Sequence, residues 1–275
     1  MDTLASFLRP EGFVRPHVAA VAREGLMVAE AARLVARSHR DRSTRRSRSW
    51  TARVHPRADD PVLLVPGFLA GDGTLGLMAA ALRREGFRTY RSDIHANVGC
   101  TLEASTALEA RLEAIAIRRD SRVQVVGHSL GGLLARGLAV RRPDLVSGVV
   151  TLGSPLLAPG AHHVSLTVMV ELLNRLSRAG VRGLMGEECV SGECARASFA
   201  EARQPLPDGV RLTSIWSPRD GIVDPASCQD PEARLVEVAT SHCGMAVDPR
   251  VRDEVVAALH AERSAEGQYL TSAEA

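Results

Sequence analysis

Residues 123–136 read Val-Gln-Val-Val-Gly-His-Ser-Leu-Gly-Gly-Leu-Leu-Ala-Arg, and this stretch decides the fold. The β-branched run from Val123 to Val126 ends at Gly127 and changes at once to a helical spacing of apolar residues. This change of period predicts a buried strand that turns sharply into a helix. Ser129 then lies at the amino end of that helix, where unpaired backbone N–H groups favour negative charge.

The five residues from Gly127 to Gly131 have the spacing Gly-x-Ser-x-Gly. Between a strand and a helix, this spacing is typical of a nucleophile elbow, a strained turn that exposes a serine hydroxyl at the top of a sheet. An ordinary turn with an exposed serine is the alternative, and the flanking periodicity favours the elbow. The predicted helix alternates apolar residues with arginines that we expect on its polar face; they are Leu130, Leu133, Leu134 and Leu138, and Arg136, Arg141 and Arg142.

Length and composition favour one α/β domain with appendages. The chain has 275 residues, 45% of them hydrophobic, which is enough to bury a substantial core. The net charge of +2 gives no global field for nucleic acid, so we expect no nucleic-acid partner. We find no secretory signal and no apolar run near the ~18 residues that cross a bilayer, which favours a cytoplasmic protein.

The five cysteines contain no Cys-x-x-Cys pair; they are Cys100, Cys189, Cys194, Cys228 and Cys243. In an oxidising compartment Cys189 and Cys194 could close a short loop. Metal binding by His162 and His163 with either of these two cysteines is the alternative, but adjacent residues on a loop rarely both reach one ion. We therefore expect no metal and no cofactor.

Residues 1–53 are predicted to precede the main domain. Apolar residues recur at helical spacing from Val18 to Ala36, and six arginines among polar residues follow in residues 37–49. We interpret the first stretch as an amphipathic helix packed on the main domain and the second as a mobile basic linker. Weak contact of residues 1–49 with a membrane surface or with another copy of the chain stays open.

Residues 54–275 are predicted to form the main domain, because short apolar strands alternate with amphipathic helices. This alternation predicts a mostly parallel sheet with helices on both faces. Between about 156 and 208 the alternation breaks down, and we interpret this region as a cap or lid inserted over the site. An ordinary helix with two connecting loops is the alternative. The strands are predicted near residues 61–65, 87–90, 123–126, 149–152, 212–216 and 235–238.

A serine nucleophile needs a positioned base and a carboxylate that orients the base. Asp220 follows one predicted strand in a Pro/Gly-rich loop, and His242 follows the next strand. The order Ser, Asp, His along the chain is that of α/β-hydrolases. Asp224, four residues further along, is the alternative carboxylate.

Over about residues 54–262 the sequence resembles the bacterial lipases and esterases of the α/β-hydrolase superfamily. Four motifs carry the resemblance: Pro-Gly-Phe at 66–68, Gly-His-Ser-Leu-Gly-Gly at 127–132, Asp-Gly-Ile-Val at 220–223 and Ser-His-Cys-Gly-Met at 241–245. The chain has Pro66 where many lipases of this type have histidine, which leaves open whether Phe68 or Leu69 faces the site.

The resemblance implies the α/β-hydrolase fold and a role for each matched residue. Ser129 would be the nucleophile, His242 the general base and then acid, and Asp220 the residue that orients the imidazole. The backbone N–H groups of Phe68 and Leu130 would form the oxyanion hole.

These residues lead us to expect a serine hydrolase that cleaves carboxylic esters through an acyl-enzyme on Ser129. The apolar character of the cap favours a small acyl ester with a hydrophobic acyl group as substrate. Two alternatives stay open: an acyltransferase or thioesterase that uses the same three residues, and a non-catalytic binding protein on the hydrolase fold.

Overall fold

The structure, a computed structural model, describes residues 6–47 and 61–273. In these residues six parallel strands form one sheet in the order β2-β1-β3-β4-β5-β6. The strands β1, β3 and β4 are buried along their whole length, which explains their unbroken apolar runs. The strands are β1 (Pro61–Val65), β2 (Arg88–Arg91), β3 (Val123–His128), β4 (Val146–Leu152), β5 (Arg211–Trp216) and β6 (Arg234–Glu237).

Helices cover both faces of the sheet, as the sequence predicts. Alternate residues of β1 divide between two apolar layers: Leu63 and Val65 pack towards α3 and α4, and Val62 and Leu64 pack towards α2 and α8. The helices are α1 (Met27–Ser47), α2 (Gly76–Arg84), α3 (Thr101–Arg119), α4 (Leu130–Arg141), α5 (Val164–Arg178), α6 (Glu187–Val190), α7 (Glu193–Ala202) and α8 (Pro249–Ala273). None of the helices in the described part of the chain is both long and apolar enough to cross a bilayer.

The strand order reverses between β1 and β3. From β1 the chain moves outward to β2, whereas β3 and the later strands extend in the other direction. Val65 at the end of β1 pairs with Gly127 near the end of β3, so the loops that follow these two strands leave the sheet side by side. In open parallel sheets such a reversal creates a crevice beyond the carboxyl ends of the strands.

The residues before β1 pack on the domain. We call residues 6–34 the N-terminal segment. Val18–Leu26 is a 3-10 helix that leads into α1, and Leu34 on α1 is fully buried. The prediction of a linker from residue 37 is wrong for residues 37–47, which continue α1; arginine favours helix, and Arg37 pairs with Asp253 of α8 at 2.7 Å. The rest of the predicted linker lies outside the described residues.

The position of Arg136 differs from the one that the sequence predicts. The sequence predicts it on the polar face of α4, but only 2% of it is exposed. Its guanidinium donates to Asp230 at 2.8 Å, to Glu232 at 2.6 Å and to the backbone carbonyl of Gln204 at 2.9 Å, and it also contacts the carbonyl of Ala202. This buried ion pair holds the helix after Ser129 to the loops on either side of β5.

Residues 156–208, the predicted cap region, contain the three helices α5, α6 and α7. Part of this region has a small apolar cluster of its own, made by Val170, Leu173, Met185 and Val190. The cluster contacts Phe68, which follows β1. The cap region is therefore in contact with the edge of the sheet where the strands end. Its action as a lid stays a prediction.

Candidate active site

Ser129 sits in a strained turn between β3 and α4. Its φ of 54° and ψ of −123° are unusual for a residue with a side chain, and such strain is a recurrent feature of nucleophile elbows. The turn is tight because Gly131 lies directly against the backbone carbonyl of Val65, leaving no room for a side chain. The backbone N–H of Ser129 donates to the carbonyl of Leu152 at 2.8 Å, which ties the turn to β4.

The loop after β1 lies beside Ser129. A Cβ atom on Gly67 would come within 2.9 Å of the Ser129 Cβ. Asn97 holds the loop by donating from Nδ2 to the Pro66 carbonyl at 3.0 Å and by accepting the Leu69 N–H at 3.0 Å. The Leu69 N–H therefore already has a hydrogen-bond acceptor, the Asn97 backbone carbonyl. Within the described residues, the N–H groups of Phe68 and Leu130 have no hydrogen-bond acceptor.

His242 and Asp220 form a buried pair. His242 Nδ1 donates to Asp220 Oδ2 at 2.7 Å, and both side chains are nearly inaccessible to solvent. The other carboxylate oxygen, Asp220 Oδ1, accepts the backbone N–H groups of Ile222 at 2.8 Å and Val223 at 2.7 Å. Asp220 is thus held by its own loop with one oxygen and orients the imidazole with the other.

Asp224, the alternative carboxylate, has other partners. Its Oδ1 accepts the Ala226 N–H at 3.1 Å, which caps a short 3-10 helix, and its Oδ2 accepts the Val14 N–H at 2.9 Å. Both carboxylate oxygens are therefore occupied by backbone donors, and it is Asp220 that bonds to His242.

Two histidines, His128 before the serine and His242, have their rings in tilted contact and show opposite pKa shifts. Burial works against a charged His242, but the negative charges of Asp220 and Glu24 outweigh it and raise the pKa of His242. Burial and the neighbouring His242 lower the pKa of His128 to about 4, so His128 is neutral near pH 7. Its Nε2 donates to the His242 carbonyl at 3.0 Å, and the two ring centroids are 4.9 Å apart.

Within the described residues no hydrogen bond joins the Ser129 hydroxyl to His242. Their relative position is set by the contacts of His128, the residue before the serine, with the backbone and the ring of His242. In enzymes without substrate the hydrogen bond between nucleophile and base is often long and tightens only when substrate binds. Rotation of the serine side chain about its Cα–Cβ bond changes the distance to the imidazole without moving the backbone.

A cavity of about 130 Å³, open to solvent, begins at Ser129. Phe68 and Leu130 line it next to the serine, and the cap region and the N-terminal segment supply much of the remaining wall. The other lining residues are mainly apolar and include Leu8, Leu133, Leu166, Val170, Met185, Val190 and Phe199.

Comparisons with known proteins agree with this architecture. The family model described as PGAP1-like alpha/beta domain matches residues 90–188. A triacylglycerol lipase of Vibrio cholerae serotype O1 is 29% identical over 98 residues, which are 34% of this chain and 31% of that lipase. The match therefore spans only about a third of the length of that curated relative.

Solved structures match over a larger part of the chain. The mature form of the Bacillus licheniformis lipase BlEst2 has a TM-score of 0.56 at 14% identity, covering 74% of this chain and 92% of that one. The metagenomic carboxyl esterase MGS0156 has a TM-score of 0.50 at 19% identity, covering 67% of this chain and 65% of that one. The protein has the α/β-hydrolase fold. Within this fold the three candidate residues follow the carboxyl ends of three strands. Ser129 follows β3, Asp220 follows β5 and His242 follows β6.

The N-terminal segment of this protein bonds to the loops that carry Asp220 and His242. Glu24 Oε1 accepts the N–H of His242 at 3.0 Å and the N–H of Gly221 at 3.1 Å, and its Oε2 accepts the N–H of Cys243 at 2.8 Å. Gly221 has no room for a side chain because it lies against the backbone of Ala20. One carboxylate therefore links both loops.

Glu30 makes a second link to the His242 loop and is only 2% exposed. Its Oε1 accepts from Thr240 Oγ1 at 2.8 Å and from the Ser241 N–H at 3.1 Å, and its Oε2 accepts from Ser241 Oγ at 2.7 Å. Sequence reasoning missed both glutamates. One signal was available: Glu30 lies four residues before Leu34, which places it on the buried face of the predicted helix.

The remaining histidine candidates differ in position. His162 lines the cavity, and its Nδ1 donates to the carbonyl of His163 at 3.1 Å. His163 uses both ring nitrogens, since Nδ1 accepts the Ser165 N–H at 3.1 Å and Nε2 donates to the Val18 carbonyl at 3.1 Å. His163 thus holds the N-terminal segment. His95 is exposed.

Proposed function

We propose that this α/β-hydrolase cleaves carboxylic esters through an acyl-enzyme formed on Ser129. The observation that carries the proposal is the buried hydrogen bond of 2.7 Å between His242 Nδ1 and Asp220, with the His242 ring in contact with His128, the residue before a serine in a strained elbow. A buried carboxylate that fixes one imidazole nitrogen leaves the other free to accept the serine proton. The nucleophile, its base and the orienting carboxylate are then all present.

In the first half of the reaction, His242 Nε2 takes the proton of the Ser129 hydroxyl as the oxygen attacks the ester carbonyl. The tetrahedral intermediate collapses when His242 returns that proton to the departing alkoxide, and the alcohol leaves. In the second half His242 takes a proton from water, whose oxygen attacks the acyl-enzyme and releases the carboxylic acid. Serine and imidazole return to their starting states.

The negative oxygen of the tetrahedral intermediate needs two donors that are not already paired. We assign this role to the backbone N–H groups of Phe68 and Leu130, which flank Ser129 and have no acceptor among the described residues. Leu130 also begins α4, whose helix dipole favours negative charge at this end. Loss of a single donor of this kind costs about 10²–10³ in kcat in well-studied hydrolases.

The apolar cavity beside Ser129 supports a hydrophobic acyl group as the preferred substrate. Phe68, Leu130 and Leu133 line the end next to the serine, and Leu166 and Val170 extend the apolar wall into the cap region. Burial of each methylene of an acyl chain contributes about 0.8 kcal/mol. We therefore expect kcat/KM to rise with acyl chain length until the chain fills the cavity.

A panel of p-nitrophenyl esters of increasing acyl length, with matched acyl thioesters, tests the proposal. We expect the native protein to hydrolyse the esters and Ser129→Ala to lose this activity. Ser121→Ala is the matched control, because Ser121 is exposed and precedes β3 at the opposite edge of the sheet. Turnover retained in Ser129→Ala would contradict the choice of nucleophile, and a consistent preference for thioesters would replace ester by thioester as the substrate class.

A further inference from the structure

Three cysteines meet where the cap region contacts the main domain. Cys100 caps the amino end of α3, Cys189 lies in α6 and Cys194 lies in α7. Their Sγ atoms all lie within 4.8 Å of one another. All three side chains are partly exposed, and none is in a disulfide. Three separate elements thus bring their thiols to one point that solvent can reach.

This arrangement has the ligand type and spacing that a soft divalent cation requires. A zinc–thiolate bond is about 2.3 Å long, so the sulfurs of a tetrahedral site are about 3.8 Å apart. The observed separations need only small side-chain rotations to reach that value. Cys100 also lies at the amino end of a long helix, where the dipole favours the thiolate.

We propose that Cys100, Cys189 and Cys194 bind one Zn²⁺ ion, with the fourth position open to a water molecule. On binding, each of the three thiols loses its proton to solvent and the three sulfurs become ligands of the cation. The site is separate from the proposed chemistry at Ser129. The sequence predicts no metal site, because adjacent residues such as His162 and His163 rarely both reach one ion and nothing in the sequence indicates that Cys100, distant along the chain, joins Cys189 and Cys194.

A metal at this position would join the cap region to α3. Cys189 and Thr101, the residue after Cys100, both line the cavity that begins at Ser129. A bound cation would therefore fix α6 and α7 against α3 and hold the shape of the cavity wall. We expect added Zn²⁺ to raise the melting temperature of the protein, because a ligand that binds the folded chain stabilises it by mass action.

Measurement of the metal content tests the proposal independently of enzyme activity. The full chain is purified without chelator, and its zinc is measured by elemental mass spectrometry. The metal is then removed under reducing conditions and replaced by Co²⁺, whose visible bands report tetrahedral thiolate coordination. We expect one equivalent of metal per chain, a thiolate-to-cobalt charge-transfer band, and loss of both in the variant Cys100→Ser/Cys189→Ser/Cys194→Ser.

The control variant is Cys228→Ala, because Cys228 is buried and has no part in the cluster; it should keep the metal and the cobalt spectrum. The triple variant should fold, as judged by circular dichroism, and its melting temperature should no longer respond to Zn²⁺. The proposal is overturned if the reduced native chain binds less than a stoichiometric amount of Zn²⁺ and Co²⁺, or if the triple variant binds as much as the native chain. A disulfide within the cluster, seen as the loss of two hydrogen atoms from the native mass, would also overturn it.

Discussion

Glu24 accepts the backbone N–H of His242 at 3.0 Å, although the two residues lie in parts of the chain that the sequence assigns to different units. The same carboxylate also accepts N–H groups from Gly221 and Cys243. The segment before the main domain is therefore part of the support of the proposed catalytic histidine. A carboxylate with three backbone donors fixes the distance between the Asp220 and His242 loops.

Replacement of Glu24 by glutamine should move the pH profile. Asp220 and Glu24 both raise the pKa of His242 above 6.5, the ordinary pKa of histidine. The neutral imidazole, which accepts the serine proton, therefore prevails only at a pH above 6.5. The acid limb of kcat/KM reports this pKa. Loss of the charge in Glu24→Gln lowers the pKa of His242, so we expect the limb to move to lower pH.

The control for this shift is Glu30→Gln. Glu30 supports the same loop, but it is not among the groups whose charge raises the pKa of His242. The acid limb of kcat/KM in Glu30→Gln should therefore lie at the same pH as in the native protein, even if kcat falls. An unchanged limb in Glu24→Gln, or equal shifts in both variants, would show that the charge of Glu24 does not act on His242.

Truncation of Glu30 should destabilise the fold. Glu30→Ala leaves the Thr240 hydroxyl, the Ser241 hydroxyl and the Ser241 N–H without their acceptor in a buried place. Each unsatisfied buried polar group costs about 1–3 kcal/mol, so we expect the free energy of unfolding to fall by roughly 3 kcal/mol or more. Urea unfolding measures this free energy. The control is Glu11→Ala at an exposed position, which should change the free energy of unfolding by less than about 0.5 kcal/mol.

Asp220 and Asp224 should differ in their effect on turnover. In Asp220→Asn the imidazole loses its orienting carboxylate, and we expect kcat for a soluble ester to fall by about 10⁴. Asp224→Asn keeps a capping oxygen for the Ala226 N–H, since asparagine caps about as well as aspartate, loses only the acceptor of the Val14 N–H, and should keep most of its kcat. Steady-state kinetics on both variants decides the assignment. A larger loss of kcat in Asp224→Asn would reverse it.

Arg136 should be a major contributor to stability. Its removal in Arg136→Ala leaves Asp230 as an unpaired buried carboxylate, and breaking a buried pair from one side costs about 3–5 kcal/mol. Thermal and urea unfolding should show this loss, whereas Arg118→Ala on the exposed face of α3 should be nearly neutral. A loss below about 1 kcal/mol would show that the pair contributes little.

The order of strands and helices could be predicted from sequence because the relevant signals are local. The apolar runs of β1, β3 and β4 predict buried parallel strands, and the Gly-x-Ser-x-Gly spacing predicts the turn at Ser129. The family resemblance favours Asp220 over Asp224, and the hydrogen bond between His242 and Asp220 agrees with that preference. The choice between Phe68 and Leu69 needed the structure, because it depends on a hydrogen bond from Leu69 to Asn97.

The features that sequence reasoning missed depend on long-range contacts. A charged residue in a helical pattern is predicted to face solvent. Arg136 and Glu30 are nevertheless buried, because their hydrogen-bond partners come from distant loops. The convergence of Cys100 with Cys189 and Cys194 has the same cause. Residues 37–47 were expected to be a linker because they lack apolar residues, but the chain continues the helix that Leu34 anchors.

The most direct measurement of the central claim is covalent labelling with a p-nitrophenyl alkylphosphonate. Such a reagent forms a stable phosphonyl ester only with an activated nucleophile, releases one p-nitrophenolate per active chain, and is located by peptide mass spectrometry. The proposed mechanism predicts stoichiometric labelling at Ser129, loss of labelling in Ser129→Ala, and much slower labelling in His242→Ala. Labelling at any other residue, or activity that survives full labelling of Ser129, would contradict it.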